Sequence, residues 1–181
     1  MLENKIIGLV PGAMKPFHKG HHFLIKEAVK DCDEVIVYTT TKNRDNIYGQ
    51  RMKLAWTSLI HPNLPSSVSI EFVSSPIGSV FEYLYDGTSK DRIYRIYGGT
   101  EDIHRFSKRI MIQRFPDLQV TNVAEDTPEI FTRDQTPAKG EWVRNAIRTK
   151  DIQRFKEYLP EFLKPLARNY LEILTRGDQI I

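Results

Sequence analysis

The chain has almost no cysteine and no long apolar stretch. One cysteine among 181 residues excludes an intramolecular disulfide and favours a reducing compartment. No apolar run reaches the length of about 20 residues that a membrane-spanning helix needs. The N-terminus also lacks the pattern of a signal peptide. We therefore expect a cytoplasmic protein that does not interact with membranes.

Several functional motifs are also absent. The sequence contains no Gly-x-Gly-x-x-Gly run and no Walker loop, which argues against ordinary dinucleotide oxidoreductases and P-loop enzymes. With Cys32 as the only thiol, a zinc site is disfavoured, and we assign no residue as a metal ligand. The net charge of +3 is too small to indicate nucleic-acid binding, although a modest basic excess suits a polyphosphate substrate. Basic and acidic residues alternate near the C-terminus, so we expect no nucleic-acid partner.

Short buried strands alternate with helical segments along the chain. The strands are predicted at residues 5–10, 34–40, 68–73, 92–97 and 118–123. Helices are predicted at residues 23–30, 48–60, 103–115 and 140–148, with a short helical or irregular crossover at 79–85. Two further helices, split at Pro160, are predicted over 152–174, and their apolar stripe belongs either to the core or to a subunit interface. The alternation predicts an α/β fold with a parallel sheet covered by helices on both faces.

Two histidines stand where the first strand passes into the first helix. His18 and His21 are three residues apart, so they lie on one side of the helix start, where free backbone N–H groups favour an anion. Gly20 leaves no side chain between the backbone and that anion. The helix end should lower the pKa of both imidazoles, and a bound polyphosphate should raise it. The pattern therefore predicts a phosphate site with adjustable donors.

Residues 12–21 read Gly-Ala-Met-Lys-Pro-Phe-His-Lys-Gly-His. This run resembles the nucleotidyltransferase superfamily marked by His-x-Gly-His, and most of all the nicotinamide mononucleotide (NMN) adenylyltransferases. Their usual run is Gly-Arg-Phe-Gln-Pro-Phe/Val-His-x-Gly-His, from which Ala13, Met14 and Lys15 depart. The resemblance implies a Rossmann-like sheet of strand order 3-2-1-4-5 within residues 1–150. Residues 151–181 would then be a helical extension of the same single domain.

A second ligand-facing loop follows the fourth predicted strand. Gly98 and Gly99 permit close backbone approach, and a carboxylate from Glu101 or Asp102 can accept from ribose hydroxyls. The position matches the Gly-x-Asp loop of the resembled family, with the two acids competing for the place of the aspartate. An ordinary turn before an acidic helix start is the alternative reading.

The family's second signature, Ile-Ser-Gly/Ser-Thr-x-x-Arg, is altered in this chain. Lys139 and Glu141 replace its serine and threonine, while Gly140 and Arg144 keep their places. We expect Arg144 to hold phosphate oxygens and Lys139 to supply a cation in place of the hydroxyls. The preceding polar segment, residues 125–139, is long enough for a lid or substrate loop.

Two further segments bear on the argument, the first through phosphate binding and the second through the resemblance. Either Arg44 or Lys42, in the loop after the second strand, can reach a phosphate, or both are solvated loop charges. Gln50 and Arg51 resemble the Glu-Arg pair that opens the equivalent helix in the NMN adenylyltransferases.

The resemblance implies a nucleotidyltransferase that joins the nucleotidyl group of ATP to a phosphate monoester and releases pyrophosphate. The site would use His18 and His21 on the α-phosphate and triphosphate, Lys15 and Arg144 on the polyphosphate, and Mg²⁺ to bridge its oxygens. Nucleotide contacts are expected from Gly12, Ala13, Met14, Gly20, Gly98, Glu101, Asp102, Lys139 and Gly140.

The acceptor and the reaction leave alternatives open. Nicotinamide or nicotinate mononucleotide is favoured as the acceptor, which would make the product NAD or its nicotinate counterpart. A different phosphorylated small molecule, or CTP in place of ATP, is the first alternative. A non-catalytic nucleotide sensor with a decayed second signature is the other. A homo-oligomer is possible.

Overall fold

A computed structural model describes residues 4–86, 90–132 and 138–176, with the backbone alone described at Thr100, Glu101, Ile103, Phe131 and Thr132. The described residues form two compact units. The first is drawn from Met1–Gly12, Phe23–Thr39 and Pro65–Gln135. The second is drawn from Ala13–His22, Thr40–Leu64 and Thr136–Ile181.

The first unit is built on a five-stranded parallel sheet. Its strands are β1 (Lys5–Pro11), β2 (Glu34–Thr40), β3 (Val68–Val73), β4 (Arg92–Ile96) and β5 (Gln119–Asn122). Their order is β3-β2-β1-β4-β5. The register aligns Leu9 with Ile36 on one side and with Ile96 on the other. The central β1 is buried along five of its seven residues, as a strand covered on both faces must be. The predicted Rossmann-like order 3-2-1-4-5 is confirmed.

Eight α-helices are described, several of them short. They are α1 (Lys19–Asp31), α2 (Gly49–Ala55), α3 (Pro76–Asp86), α4 (Lys108–Arg114), α5 (Val123–Asp126), α6 (Gly140–Arg148), α7 (Ile152–Glu157) and α8 (Ala167–Thr175). A π-helical turn, Trp56–Ile60, continues α2 and leads into the 3₁₀ turn His61–Asn63. Further 3₁₀ segments are Thr100–Phe106, Pro128–Thr132 and Glu161–Leu166. None of the helices described is long and apolar enough to span a bilayer.

Two predicted segments need correction, and a third is extended. The helix predicted over 103–115 is broken, because Ser107 is extended and its hydroxyl caps α4 by accepting from the Ile110 N–H. The crossover at 79–85, predicted as helical or irregular, is helical and lies within a longer helix, α3, which buries Val80 and Leu84. The loop predicted over 125–139 contains the end of α5 and a 3₁₀ segment, and its residues 133–137 lie outside the described part.

An apolar core holds each unit together. In the first unit the core joins the sheet to α3 and α4, through Ile7, Leu9, Tyr38, Val80, Leu84, Tyr94, Ile96, Phe106, Met111 and Phe115. In the second unit the rings of Phe17 and Trp56 lie 4.8 Å apart, and the Tyr170 hydroxyl donates to the Phe17 carbonyl at 2.8 Å.

The apolar stripe of the C-terminal segment belongs to the core of the second unit. Phe155 and Tyr170 are fully buried, and their rings meet edge to face at 5.7 Å. The second helix predicted after Pro160 begins as a 3₁₀ segment that contains Pro165, and only then continues as α8. Proline lacks the N–H that a regular helix requires at that place.

Candidate active site

The two motif histidines lie side by side at the start of α1. The helix begins at Lys19, so Gly20 and His21 belong to its first turn and His18 directly precedes it. The two imidazole rings are tilted by 31°, with their centroids 3.8 Å apart. The spacing predicted this arrangement on one side of the helix, and the structure confirms it.

Backbone hydrogen bonds fix the orientation of both rings. The Gly20 N–H donates to Nδ1 of His18 at 3.0 Å, and the His18 N–H donates to Nδ1 of His21 at 3.2 Å. A ring nitrogen that accepts a hydrogen bond carries no proton, so the proton of each neutral imidazole is on Nε2. Each ring therefore presents an Nε2–H donor in a fixed direction.

Both imidazoles are uncharged at neutral pH. Burial lowers the pKa of His18 to about 4, with smaller contributions from the positive charges of Arg144 and Lys19. Burial also holds the pKa of His21 well below its ordinary value, with a further contribution from His18. The direction agrees with the sequence-based expectation, but the largest cause is desolvation rather than the helix end.

Gly20 is required by the His18 ring. A Cβ at Gly20 would lie 2.8 Å from Cε1 of His18 and 3.0 Å from its Nδ1, closer than side chains tolerate. The carbonyl oxygen of Ala138 would be 3.3 Å away. The sequence predicts that this glycine leaves no side chain between the backbone and an anion, and the structure adds that it leaves room for the imidazole.

Lys15 is a buried cation with an internal partner. Its side chain is buried and its Nζ donates to the Thr40 carbonyl. Burial, together with the positive charge of Arg44, lowers the pKa of Lys15 to about 8. Met14, just before it, is also buried and has a positive φ of 51°, a conformation that non-glycine residues seldom adopt. Lys15 therefore has much less freedom than a surface lysine.

Arg144 is held in place by α6 and by two contacts with the chain. Its Nη1 donates to the Lys15 carbonyl at 2.8 Å, and its Nε pairs with Oδ2 of Asp45 at 2.9 Å. A Cβ at Gly140 would be 2.8 Å from Nη1, so the glycine of the second signature makes room for this guanidinium. Burial, followed by the charge of Arg44, lowers the pKa of Arg144.

Arg44 joins this group of cations although it is exposed. Its charge acts on both Lys15 and Arg144, which favours Arg44 over Lys42 as the loop residue that can reach a phosphate. Lys42 is exposed, and its backbone N–H donates to the Thr40 hydroxyl.

Arg51 is a candidate that the sequence argument left without a role. It lies in the first turn of α2 and is only 9% exposed, yet its Nε and Nη2 have no hydrogen-bond partner among the described residues. Oδ1 of Asn46, in the preceding loop, is likewise buried without a partner. Buried guanidinium N–H groups are costly to leave unpaired, so Arg51 is a candidate for binding an anionic ligand. Arg51 lies beside the apolar stripe of its helix, so the sequence pattern did not indicate that its side chain is buried. The resemblance at Gln50 and Arg51 was the available signal for a functional role.

The remaining predicted residues are divided between the units. Lys139 is exposed in the second unit, with its Nζ 5.5 Å from the centre of the Trp142 ring. Gly12, Gly98 and Asp102 belong to the first unit, where Asp102 pairs with Nε of Arg105 at 3.2 Å. The side chain of Glu101 is outside the described part. The choice between Glu101 and Asp102 thus stays a prediction, as does the ribose contact of this loop.

Most of the candidate side chains in the second unit are N–H donors. Nowhere in the described ranges do three or more His, Cys, Asp or Glu side chains form a group able to hold a metal ion. Mg²⁺ is commonly bound by one or two carboxylates with water and substrate phosphates. A metal that arrives on the substrate phosphates is compatible with this donor set.

Comparison with known proteins gives one similar sequence and a set of similar folds. No protein-family model matches the chain. It is 21% identical over 179 residues to a probable nicotinate-nucleotide adenylyltransferase of Campylobacter jejuni, covering 90% of this chain and 99% of the relative. The chain resembles the adenylyltransferases of NAD synthesis. This agrees with the resemblance predicted from residues 12–21.

The solved structures support the fold. A bifunctional NMN adenylyltransferase/ADP-ribose pyrophosphatase from Francisella tularensis superposes with a TM-score of 0.56 at 16% identity. The same enzyme complexed with AMP and a Mn ion gives 0.55, also at 16% identity. In both cases the match covers 95% of this chain and 52% of the other, so the chain spans about half the length of these enzymes. At this identity the likeness establishes the Rossmann-like fold alone.

Proposed function

We propose that the chain is an adenylyltransferase that transfers the adenylyl group of ATP to nicotinamide or nicotinate mononucleotide and releases pyrophosphate. The observation that carries this proposal is the pair of neutral imidazoles 3.8 Å apart, each oriented by a backbone N–H. Lys15, Arg44 and Arg144 belong to the same unit. The similarity to a nicotinate-nucleotide adenylyltransferase supports the choice of acceptor.

The reaction needs no general base. A phosphate monoester has a second pKa of about 6 and is largely a dianion at neutral pH. One of its oxygens attacks the α-phosphorus of ATP, the bond between that phosphorus and the bridging oxygen breaks, and pyrophosphate leaves with the electron pair. The Nε2–H groups of His18 and His21 donate to the α-phosphate oxygens, and catalysis consists of positioning and charge stabilisation.

The cations divide between the two substrates. We assign Lys15 and Arg144 to the β- and γ-phosphates, with Arg44 at the outer side, because the charge of Arg44 acts on both of the others. Arg51 has buried N–H groups without a partner, and we assign it to the phosphate of the acceptor. Backbone and side-chain contacts with the nucleotide are assigned to Gly12, Ala13, Met14, Gly20, Gly98, Glu101 or Asp102, Lys139 and Gly140.

Mg²⁺ is the proposed metal, and it would neutralise phosphate charge when bound. The complex of the Francisella enzyme with AMP and a Mn ion supports the use of a divalent metal. No residue of this chain is assigned as its ligand. Free Cys32 supports a reducing compartment, and we place the protein in the cytoplasm.

The test is pyrophosphate release by the purified chain with ATP and either mononucleotide, with the dinucleotide product identified by mass. His21→Ala is the matched variant and should lose most of the activity, because a preorganised donor of this kind contributes roughly 3–4 kcal/mol to the transition state. Turnover within threefold of wild type, at an unchanged melting temperature, would remove His21 from the mechanism.

A non-catalytic nucleotide sensor is the second candidate. It is favoured by Lys139 and Glu141, which stand where the resembled family has hydroxyls. The same assay with ATP and CTP and a panel of phosphorylated acceptors separates the two functions. Nucleotide binding without pyrophosphate release from any combination of triphosphate and acceptor would support the sensor. Pyrophosphate release with a different acceptor would keep the enzyme and change only the proposed substrate.

A further inference from the structure

The guanidinium of Arg144 already has an anion beside it. Nε of Arg144 is 2.9 Å from Oδ2 of Asp45, and the side chain of Arg144 is 9% exposed against 50% for Asp45. Nη1 is bound to the Lys15 carbonyl at 2.8 Å. The arginine is therefore anchored from the interior, whereas its carboxylate partner reaches it from the surface.

The charges around Arg144 explain why it needs this partner. Arg44 disfavours the charged form of Arg144, while Asp45 and Glu141 favour it. Arg144 donates a hydrogen bond to the Lys15 carbonyl. The positive charge of Arg44 also disfavours the charged form of Lys15. A buried guanidinium among like charges is costly unless a counter-ion approaches it closely. Asp45 makes the close contact, and Glu141 acts through its charge.

Asp45 lies at the exposed end of a turn whose last residue, Ile47, is buried. The backbone groups of Arg44 and Ile47 close this turn with hydrogen bonds of 3.0 and 2.8 Å. Asp45 itself is exposed, so its side chain contributes little to the packing of the unit. Its φ is positive, at 51°. A shift of Asp45 costs one partly exposed ion pair, whereas a shift of Arg144 also breaks the bond to Lys15.

We propose that Asp45 is a built-in counter-ion that occupies Arg144 in the free protein and is displaced by the incoming polyphosphate. The phosphate and the carboxylate compete for the same Nε–H edge, and two anions cannot share it without repulsion. Asp45 thereby sets the affinity for the triphosphate and limits binding of weaker anions. This inference rests on the proposed role of Arg144 in the proposed function.

The experiment compares pyrophosphate binding by wild type and Asp45→Asn, measured by calorimetry without any acceptor. Asparagine tolerates the positive φ and keeps an oxygen for the Nε–H, so the change removes charge but not shape. We expect binding about fivefold tighter in the variant, since one partly exposed ion pair no longer has to be broken. In turnover assays the Michaelis constant for ATP should fall in the same proportion, with little change in kcat.

Glu141→Gln is the matched control, because it removes the same charge near Arg144 without removing a hydrogen bond or ion pair among the described residues. It should change pyrophosphate affinity by less than about twofold. In an Arg144→Ala background the gain from Asp45→Asn should disappear, as expected for two residues that act on one another.

Three results would overturn the proposal: unchanged or weaker binding by Asp45→Asn, an equal gain in Glu141→Gln, or a gain that persists without Arg144. Each is a binding measurement that does not depend on turnover. Failure of the proposed function would instead appear as the absence of pyrophosphate release from ATP with every acceptor.

Discussion

Replacement of Gly20 by alanine should separate the stability of the fold from the activity of the site. The new Cβ would be 2.8 Å from Cε1 of His18 and 3.0 Å from Nδ1, so the ring has to turn or shift. The Gly20 N–H bond that fixes Nδ1 at 3.0 Å would then be lengthened or lost. The direction of the Nε2–H donor depends on the position of the ring and on this hydrogen bond.

Two opposing terms decide the effect on stability. Overpacking of a well-filled site costs about 1–3 kcal/mol. Alanine in a helix is favoured over glycine by about 1 kcal/mol, and Gly20 lies in the first turn of α1. The net loss of unfolding free energy should therefore be small, about 0–2 kcal/mol. Activity has no such compensation, and loss of one oriented donor lowers kcat by about 100-fold or more.

The assay is pyrophosphate release under saturating substrates, with urea denaturation of the same samples. Gly78→Ala is the control, because Gly78 is also in the first turn of a helix and its Cβ would be 3.0 Å from the Ser75 hydroxyl, which accepts from the Gly78 N–H at 3.1 Å. This control should leave kcat within about twofold of wild type, since it touches no proposed site residue. Wild-type kcat in Gly20→Ala would refute the argument that this glycine maintains the His18 ring.

Three other predictions concern pH, the second signature and the metal. The unfolding free energy should fall by about 3 kcal/mol between pH 7 and 4 on account of His18, whose pKa is about 4 when folded, because the unfolded chain takes up the proton first. His18→Gln should flatten that part of the urea-denaturation profile, and an unchanged profile would contradict the burial argument. Lys139→Ala should raise the Michaelis constant for ATP more than it lowers kcat, as loss of a ground-state phosphate contact does. An unaltered Michaelis constant would refute the phosphate contact proposed for Lys139. EDTA should abolish turnover, and an undiminished rate would exclude a required metal.

The fold was accessible from the sequence because its determinants are local and repeated. Alternating buried strands and helices indicate a parallel sheet, and the resemblance at residues 12–21 supplied the strand order. The helix over 103–115 was wrong because Ser107 is compatible with either a helix interior or a cap. Only the three-dimensional arrangement shows that its hydroxyl accepts from Ile110 and starts a new helix.

The motif residues were predictable, but their partners were not. Lys15 and Arg144 are separated by 129 positions, and no local pattern indicates that a carbonyl of one binds the guanidinium of the other. Asp45 looked like an ordinary loop residue for the same reason. Gly20 also accommodates a side chain that folds back from two residues earlier, a direction that spacing alone does not give.

The distribution of charge in the second unit follows the demands of the proposed reaction. His18 and His21 are neutral donors, whereas Lys15 and Arg144 carry the positive charge that burial and Arg44 make costly. In transfer from ATP, negative charge accumulates on the departing pyrophosphate, while the α-phosphate gives and receives one oxygen. Fixed cations are most useful where charge increases, and neutral donors suffice where it changes little. Cations placed close to one another are destabilising, and in the proposed reaction a bound polyphosphate would relieve that repulsion. The same repulsion accounts for the contact between Asp45 and Arg144.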